Sequence, residues 1–422
     1  MKFQEMTKEE ALSLKNTLMA QYDAFKAKGL KLDMSRGKPG ADQLDLSTEL
    51  LKFNCAKNEY TSRDGVDCRN YGVLDGISEF KAIYAEILGV DTDNIIVFGN
   101  SSLNVMFDYI SQCVTHGAGG EAWLLQKGVK FLCPVPGYDR HFAILEHFGI
   151  EMINIPMTAE GPDMDLVEEY VKDPKIKGMF CVPKYSNPDG ITYSEEVVER
   201  IASLKTAAND FRIIWDNAYN VHDLGDESDY LGSILKICEK YGNEDMVIEV
   251  ASTSKVTFPG SGVALLAASD KNIAAIKKRM SVQTIGHDKL NQLRHAHFLQ
   301  NAQGLKAHMK KHAAVLAPKF DIVLKKLDAE LAGTGIAQWN KPKGGYFISL
   351  NVLDGCAKRT VELCKEAGVV LTPAGATFPY GKDPKDSNIR IAPTFPPNDE
   401  LETAVDLLCL STKIAALEKL TA

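Results

Sequence analysis

The sequence predicts an α/β fold, a mostly parallel sheet covered by helices on both faces, with a smaller α+β part built from the C-terminal third. Three observations predict it. Short apolar, β-rich runs alternate with longer amphipathic segments through the first two-thirds of the chain. After residue 270 this rhythm gives way to a long helical stretch. A second β-containing region and a closing helix then follow.

Taken in order, MKFQEMTKEEALSLKNTL mixes acids and bases from the start and has no apolar core, so it reads as a surface helix. Thr7 followed by Glu10 supplies a capping box. Strands are expected at 95–98, 131–135, 178–182, 212–215, 247–250 and 263–267, with helices at 77–88, 103–113 and 195–208. The helical stretch runs from Asn272 to roughly Leu331, broken near Gly286 and Pro318. Beyond it come β segments at 345–350, 368–371 and 388–391, and a helix over 399–420. The expected division is a large body over 50–310 and a small one that joins 1–49 to 311–422.

Bulk properties narrow the function by exclusion. With 422 residues, 45% hydrophobic and 25% charged, the chain has the composition of an ordinary globular protein. A formal net charge of −8 argues against general nucleic-acid binding, which needs clustered Lys and Arg. No apolar run approaches the roughly 18 residues that cross a bilayer. Nine cysteines (Cys55, Cys68, Cys113, Cys133, Cys181, Cys238, Cys356, Cys364, Cys409) stand singly, with no Cys-x-x-Cys pair. That is the pattern of reduced, mostly buried thiols, and a cytoplasmic, metal-free protein is the default expectation.

Five segments carry candidate chemistry. In Ala251-Ser-Thr-Ser-Lys-Val-Thr-Phe-Pro-Gly-Ser-Gly-Val263, a lysine follows an apolar strand and sits among hydroxyls. A partly desolvated amine there has a lowered pKa and nucleophilic character, whereas a plain turn would point Lys255 to water. Phe211-Arg-Ile-Ile-Trp-Asp-Asn-Ala-Tyr219 puts Asp216 at the C-terminal end of a strand, where open α/β sheets bind ligands. The carboxylate either pairs with a cationic ligand group or caps the next helix. Asn187, in Pro183-Lys-Tyr-Ser-Asn-Pro-Asp-Gly190, is either a turn former or an amide donor to a ligand oxygen. Phe98-Gly-Asn-Ser-Ser-Leu103 leads a strand end into a helix start, an arrangement that suits an anion and equally suits ordinary capping. Arg390, in Asn388-Ile-Arg-Ile-Ala-Pro393, needs a carboxylate from the protein or from a substrate.

In their order and spacing these segments resemble the class I aminotransferases of the fold-type I pyridoxal-phosphate (PLP) enzymes, from about Arg36 to Pro393. Met34-Ser-Arg-Gly-Lys-Pro39, Gln283-Thr-Ile-Gly286 and Asp288-Lys-Leu-Asn-Gln-Leu-Arg-His295 are similar to a bacterial aspartate aminotransferase-like subgroup. The resemblance implies a PLP-transferase fold with a seven-stranded type of sheet. Lys255 would be the Schiff-base lysine and proton carrier, Asp216 the partner of the pyridine nitrogen, and Tyr219 and Asn187 donors to the phenolic oxygen. Tyr138, in Pro134-Val-Pro-Gly-Tyr138, would stack on the ring, with Asn100, Ser101, Ser102, Ser252 and Ser254 around the phosphate. Tyr71, in Asn70-Tyr-Gly72, would reach the phosphate of a neighbouring subunit, which implies a homodimer with shared sites. Arg390 would grip the substrate α-carboxylate and Gly37 would line the pocket. For a distal carboxylate the candidates are Arg36, Lys38 and Arg294, with Arg36 preferred because it adjoins Gly37; the alternative is a structural salt bridge at Arg36.

One departure stands out: the family's phosphate-binding arginine, seven or eight residues past the lysine, is replaced by Gly262 and Val263. His308-Met-Lys-Lys-His312 has helical metal spacing but no H-E-x-x-H glutamate, and its lysines point to a solvated face. The expected activity is amino transfer between an L-amino acid, L-aspartate first, and 2-oxoglutarate. The rivals are a PLP-dependent C–S β-lyase or aspartate decarboxylase, and a non-catalytic PLP-binding regulatory module.

Overall fold

The computed structural model describes residues 2–53 and 59–422. Cys55 lies outside the described residues, and the other eight cysteines are free and buried. Eight strands form the main sheet in the spatial order Ile95–Val97, Ala264–Ala268, Val247–Ser252, Arg212–Asp216, Ile176–Cys181, Lys130–Val135, Glu151–Thr158 and Gly161–Pro162. Without the two-residue Gly161–Pro162 edge the count is seven. The central strands are parallel, while Ala264–Ala268 runs antiparallel to both neighbours. Strands such as Arg212–Asp216 and Ile176–Cys181 are buried along their whole length, which is why they are mostly apolar, with Lys177 and Arg212 the buried charges near their starts.

Two apolar cores lie on the faces of this sheet. One packs Phe80, Ile83, Val198 and Leu293 against Ile213 and Trp215; the other packs Val105, Ile110, Phe142 and Leu145 against Ile214 and Val250. Alternate residues of Arg212–Asp216 therefore serve opposite cores, as pleating requires. A third core joins Leu18 and Tyr22 of the first helix to Phe320, Leu350, Ile389 and Leu408. It surrounds a three-stranded antiparallel sheet (Ala337–Trp339, Ile348–Val352, Asn388–Ile391) and the helix Asn398–Thr421. The expected capping box forms, with Thr7 and Glu10 bonding each other's backbone amides at the head of Lys8–Ala27.

Several boundaries differ from expectation. The helix expected at 195–208 is Glu195–Ala202. The long helical stretch does break around Gly286, between Asp270–Gln283 and Lys289–Leu299. It does not break at Pro318: the helix Ala302–Leu331 passes through it, with Leu316, Lys319 and Phe320 all buried on either side. Burial of that stripe outweighs one lost backbone hydrogen bond. The second break falls instead at Gln300, where Asn301 caps the long helix by accepting from the Gly304 amide.

Candidate active site

The carboxyl edge of the sheet opens into a cavity of about 670 Å³, lined by residues from both the large sheet and the C-terminal region. Strand Val247–Ser252 ends in a tight loop that returns antiparallel as Ala264–Ala268, and that loop carries Lys255. Thr253 closes it, its amide donating to the Val263 carbonyl (2.8 Å) and its hydroxyl accepting from the Val263 amide (2.9 Å). Lys255 therefore leans inward over Tyr219 (4.9 Å to the ring centroid) and Tyr346 (5.7 Å). It makes no ion pair among the described residues, and burial pulls its pKa below the usual lysine value against the opposing pull of the Asp216 charge. The alternative of a surface turn is excluded.

Asp216 ends the adjacent strand and is buried. It caps no helix. Its Oδ2 lies 2.9 Å from His141 Nε2, while Oδ1 has no partner among the described residues. His141 is fixed by a stacked Phe180 ring (4.2 Å, 10°) and an edge-on Tyr138 (5.0 Å, 77°). Sequence reasoning missed this histidine. The signal was its place three residues after Tyr138, one turn into the helix Asp139–His147.

Ser101, Ser102, Ser252, Ser254, Tyr138, Asn187, Tyr219, Gly37, Arg36 and Arg390 line the same cavity as Lys255 and Asp216. Burial raises the Tyr219 hydroxyl well above its ordinary pKa and the Tyr138 hydroxyl to about 12, so both remain donors. Ser101 precedes the helix Ser102–His116 and makes no side-chain capping bond. The segments 99–103 and 251–262 bring hydroxyls, helix amides and no arginine. Asn100 is exposed and outside the lining: its amide bonds Gly260 O (3.4 Å) and its carbonyl accepts from Ser254 (3.2 Å). Tyr71 is 80% exposed and borders a different hollow, with Ile285 and Gly286.

Gly37 is required by space, since a Cβ there would lie 2.2 Å from the Phe347 ring, over which Arg390 sits at 5.0 Å. Lys38 and Arg140 join Arg36 in the lining, whereas Arg294 does not and is bonded to Asn291. Arg36 makes no salt bridge among the described residues, although against the upward pull of burial it joins Ser35 and Lys38 in holding the Asp33 carboxyl below its ordinary pKa.

The loop is braced from behind by histidines. His295 Nε2 lies 3.2 Å from Thr253 Oγ1 and 2.9 Å from Thr257 Oγ1, and His308 Nε2 lies 2.8 Å from the Val256 carbonyl. His312 meets His308 at 3.1 Å and Gln43 at 3.1 Å. The solvated face expected for His308 and His312 is thus corrected: both are buried, while Lys310 and Lys311 face outward. Burial lowers His295 and His312 to about 4 from the ordinary 6.5. The unfolded chain therefore takes up these protons first as pH falls. Stability is full above the unfolded value and is lost from about pH 6.5 toward pH 4, by on the order of a few kcal/mol. Buried Asp189 and Glu249, raised to about 6 and about 7, act the opposite way in this range. The histidine contribution is therefore read by difference: the urea midpoint of a His312→Gln variant should fall less steeply than the parent's from pH 6.5 to 4, and parallel profiles would contradict burial of the ring.

A buried amine and a carboxylate oxygen with no partner among the described residues converge at the carboxyl edge of the sheet, where open α/β folds bind ligands. A profile of the aspartate amino-transferase family matches residues 6–422. The chain is 48% identical to an aspartate aminotransferase of Corynebacterium glutamicum over 400 residues, covering 94% of this chain and 92% of that one. The crystal structure of an aspartate transaminase from Corynebacterium glutamicum superposes with a TM-score of 0.97 at 45% identity, covering 100% of this chain and 99% of that one. At 20% identity, an α-aminoadipate aminotransferase from Thermus thermophilus, complexed with N-(5'-phosphopyridoxyl)-L-leucine, shares the fold (TM-score 0.74, covering 94% of this chain and 95% of that one). The chain belongs to the aspartate amino-transferase family and is an aminotransferase.

Proposed function

We propose that this enzyme uses PLP, held by Lys255 as a Schiff base, to exchange an amino group between L-aspartate and 2-oxoglutarate. One observation carries the reading: a lysine with no ion-pair partner and a buried Asp216 oxygen with no donor, both among the described residues, face one cavity. An aldehyde and a protonated ring nitrogen on one flat ligand would satisfy both. The residues fit that group. Bound there, PLP supplies an electron sink for the charge left when Cα loses its proton.

The chain supplies the rest. Asp216 would keep the ring nitrogen protonated, and His141 holds Oδ2 so that Oδ1 is the free acceptor. Tyr219 and the Asn187 amide would donate to the phenolic oxygen. Arg390 already bonds Asn187 Oδ1 (3.2 Å), which leaves the Asn187 Nδ2 end to donate. Tyr138 would cover the ring face, and Ser101, Ser102, Ser252 and Ser254 with the helix amides would hold the phosphate; Asn100 would act there through its carbonyl bond to Ser254. A neutral Lys255 amine takes the proton from Cα and returns it, with orientation by Arg390 and the stacked ring contributing much of the rate.

Arg390 would grip the α-carboxylate beside Gly37, and Arg36 the distal one. Tyr71, outside its own cavity, would serve the phosphate of the partner in a homodimer, with the two bodies 50–310 and 1–49 plus 311–422 meeting at the site. A cytoplasmic location accompanies this metabolic role. Incubation with L-aspartate and 2-oxoglutarate should yield glutamate and oxaloacetate in equal amounts. Release of CO2 and an alanine from aspartate without glutamate would overturn amino transfer to 2-oxoglutarate, and turnover of other amino acids but not aspartate would overturn the substrate.

A further inference from the structure

Arg390 is not free. Its Nη1 donates to Asp139 Oδ1 at 2.8 Å and to Asn187 Oδ1 at 3.2 Å, and its Nε donates to Thr372 Oγ1 at 3.4 Å. Nη1 has two hydrogens, so both are taken. Nη2 makes no hydrogen bond among the described residues. A carboxylate that grips a guanidinium with both oxygens needs two neighbouring nitrogens, and only one nitrogen is open. Either fork, Nη1 with Nη2 or Nε with Nη2, is half occupied.

The occupant on Nη1 is itself a carboxylate. The Arg390 side chain is 7% exposed and that of Asp139 is 34% exposed, so Asp139 approaches from the solvent side. Both residues line the cavity. Asp139 is also the first residue of the helix Asp139–His147, whose N-cap Tyr138 makes no side-chain capping bond. Once displaced, its charge would still lie beside the positive end of that helix. Displacement is therefore inexpensive and reversible.

We propose that Asp139 is a built-in competitor for the substrate α-carboxylate, occupying Arg390 in the free enzyme and setting how tightly any carboxylate substrate binds. The proposal rests on the reading of Arg390 given above. Its chemistry is exchange of one carboxylate for another on a single guanidinium, with no covalent step. Asp139 also keeps the arginine charge paired while the cavity is open, so Arg390 is held in place between turnovers.

The test is steady-state kinetics and succinate inhibition of the PLP-loaded enzyme in three variants: Asp139→Asn, Asp139→Ser and Arg390→Lys. Removing the competing charge should lower KM for both amino acid and oxo acid, and Ki for succinate, by about fivefold in each Asp139 variant. Arg390→Lys should raise all three constants. If Arg390→Lys leaves them unchanged, the assignment of Arg390 falls and the competitor with it. If Arg390→Lys raises them but both Asp139 variants leave them unchanged or raise them, Arg390 keeps its role and the competition is overturned. Thermal melts of each variant separate a binding change from loss of folded protein.

Discussion

Lys255→Ala is expected to reduce amino-group transfer by roughly 10⁴- to 10⁶-fold, because on the proposed reading one side chain would supply both the covalent attachment and the proton transfer. The structure gives the substitution nothing to compensate it. Among the described residues the lysine has no ion-pair partner, and the Asp216 charge that acts on it keeps its bond to His141 in the variant. The loop is held by Thr253, Thr257, His295 and His308 rather than by the lysine itself. The variant should therefore fold, with a melting temperature close to that of the parent. Initial rates with L-aspartate and 2-oxoglutarate, alongside a thermal melt, check both halves. A variant that is folded and retains even a hundredth of the activity would remove Lys255 from the chemistry.

Asp216→Asn should cost roughly 10³-fold in kcat/KM, the scale expected when one preorganised charge is removed from a buried site. The asparagine keeps the shape, and its amide can still meet His141 through one end. On the proposed reading, what it loses is the negative charge that would keep the cofactor's ring nitrogen protonated. Since Asp216 also opposes the burial of Lys255, the amine pKa should fall further in the variant. The pH–rate profile measures that: its acid limb should move to lower pH. An Asp216→Asn enzyme of unchanged rate and profile would mean that the carboxylate serves the fold alone.

Much of the fold was legible because buried parallel strands are nearly pure apolar runs, and Arg212–Asp216 is buried at every position. The site was legible at the strand ends. Asp216 ends an apolar run and Lys255 follows another after three hydroxyl residues, and the pleat together with the sheet order brings them to one edge. The partners were harder to read, because they depend on packing between distant segments. Arg390 could have met a substrate or a protein carboxylate; it meets Asp139, 251 residues away in the chain. His308 and His312 looked solvated beside Lys310 and Lys311, yet their four-residue spacing falls in register with Leu305, Met309 and Leu316 on the buried stripe. That register was the available signal, and the adjacent lysines masked it. Pro318 misled in the other direction, because a local breaker was overridden by the burial of its neighbours.

The most direct measurement is chemical capture of the lysine. Purified enzyme is mixed with PLP, reduced with borohydride, digested and analysed by peptide mass spectrometry. A phosphopyridoxyl group on Lys255, absent when reduction is omitted and absent from Lys255→Ala, is the result predicted. A specific label on another lysine, or none at all after saturation with PLP, would contradict the assignment on which the whole site is built.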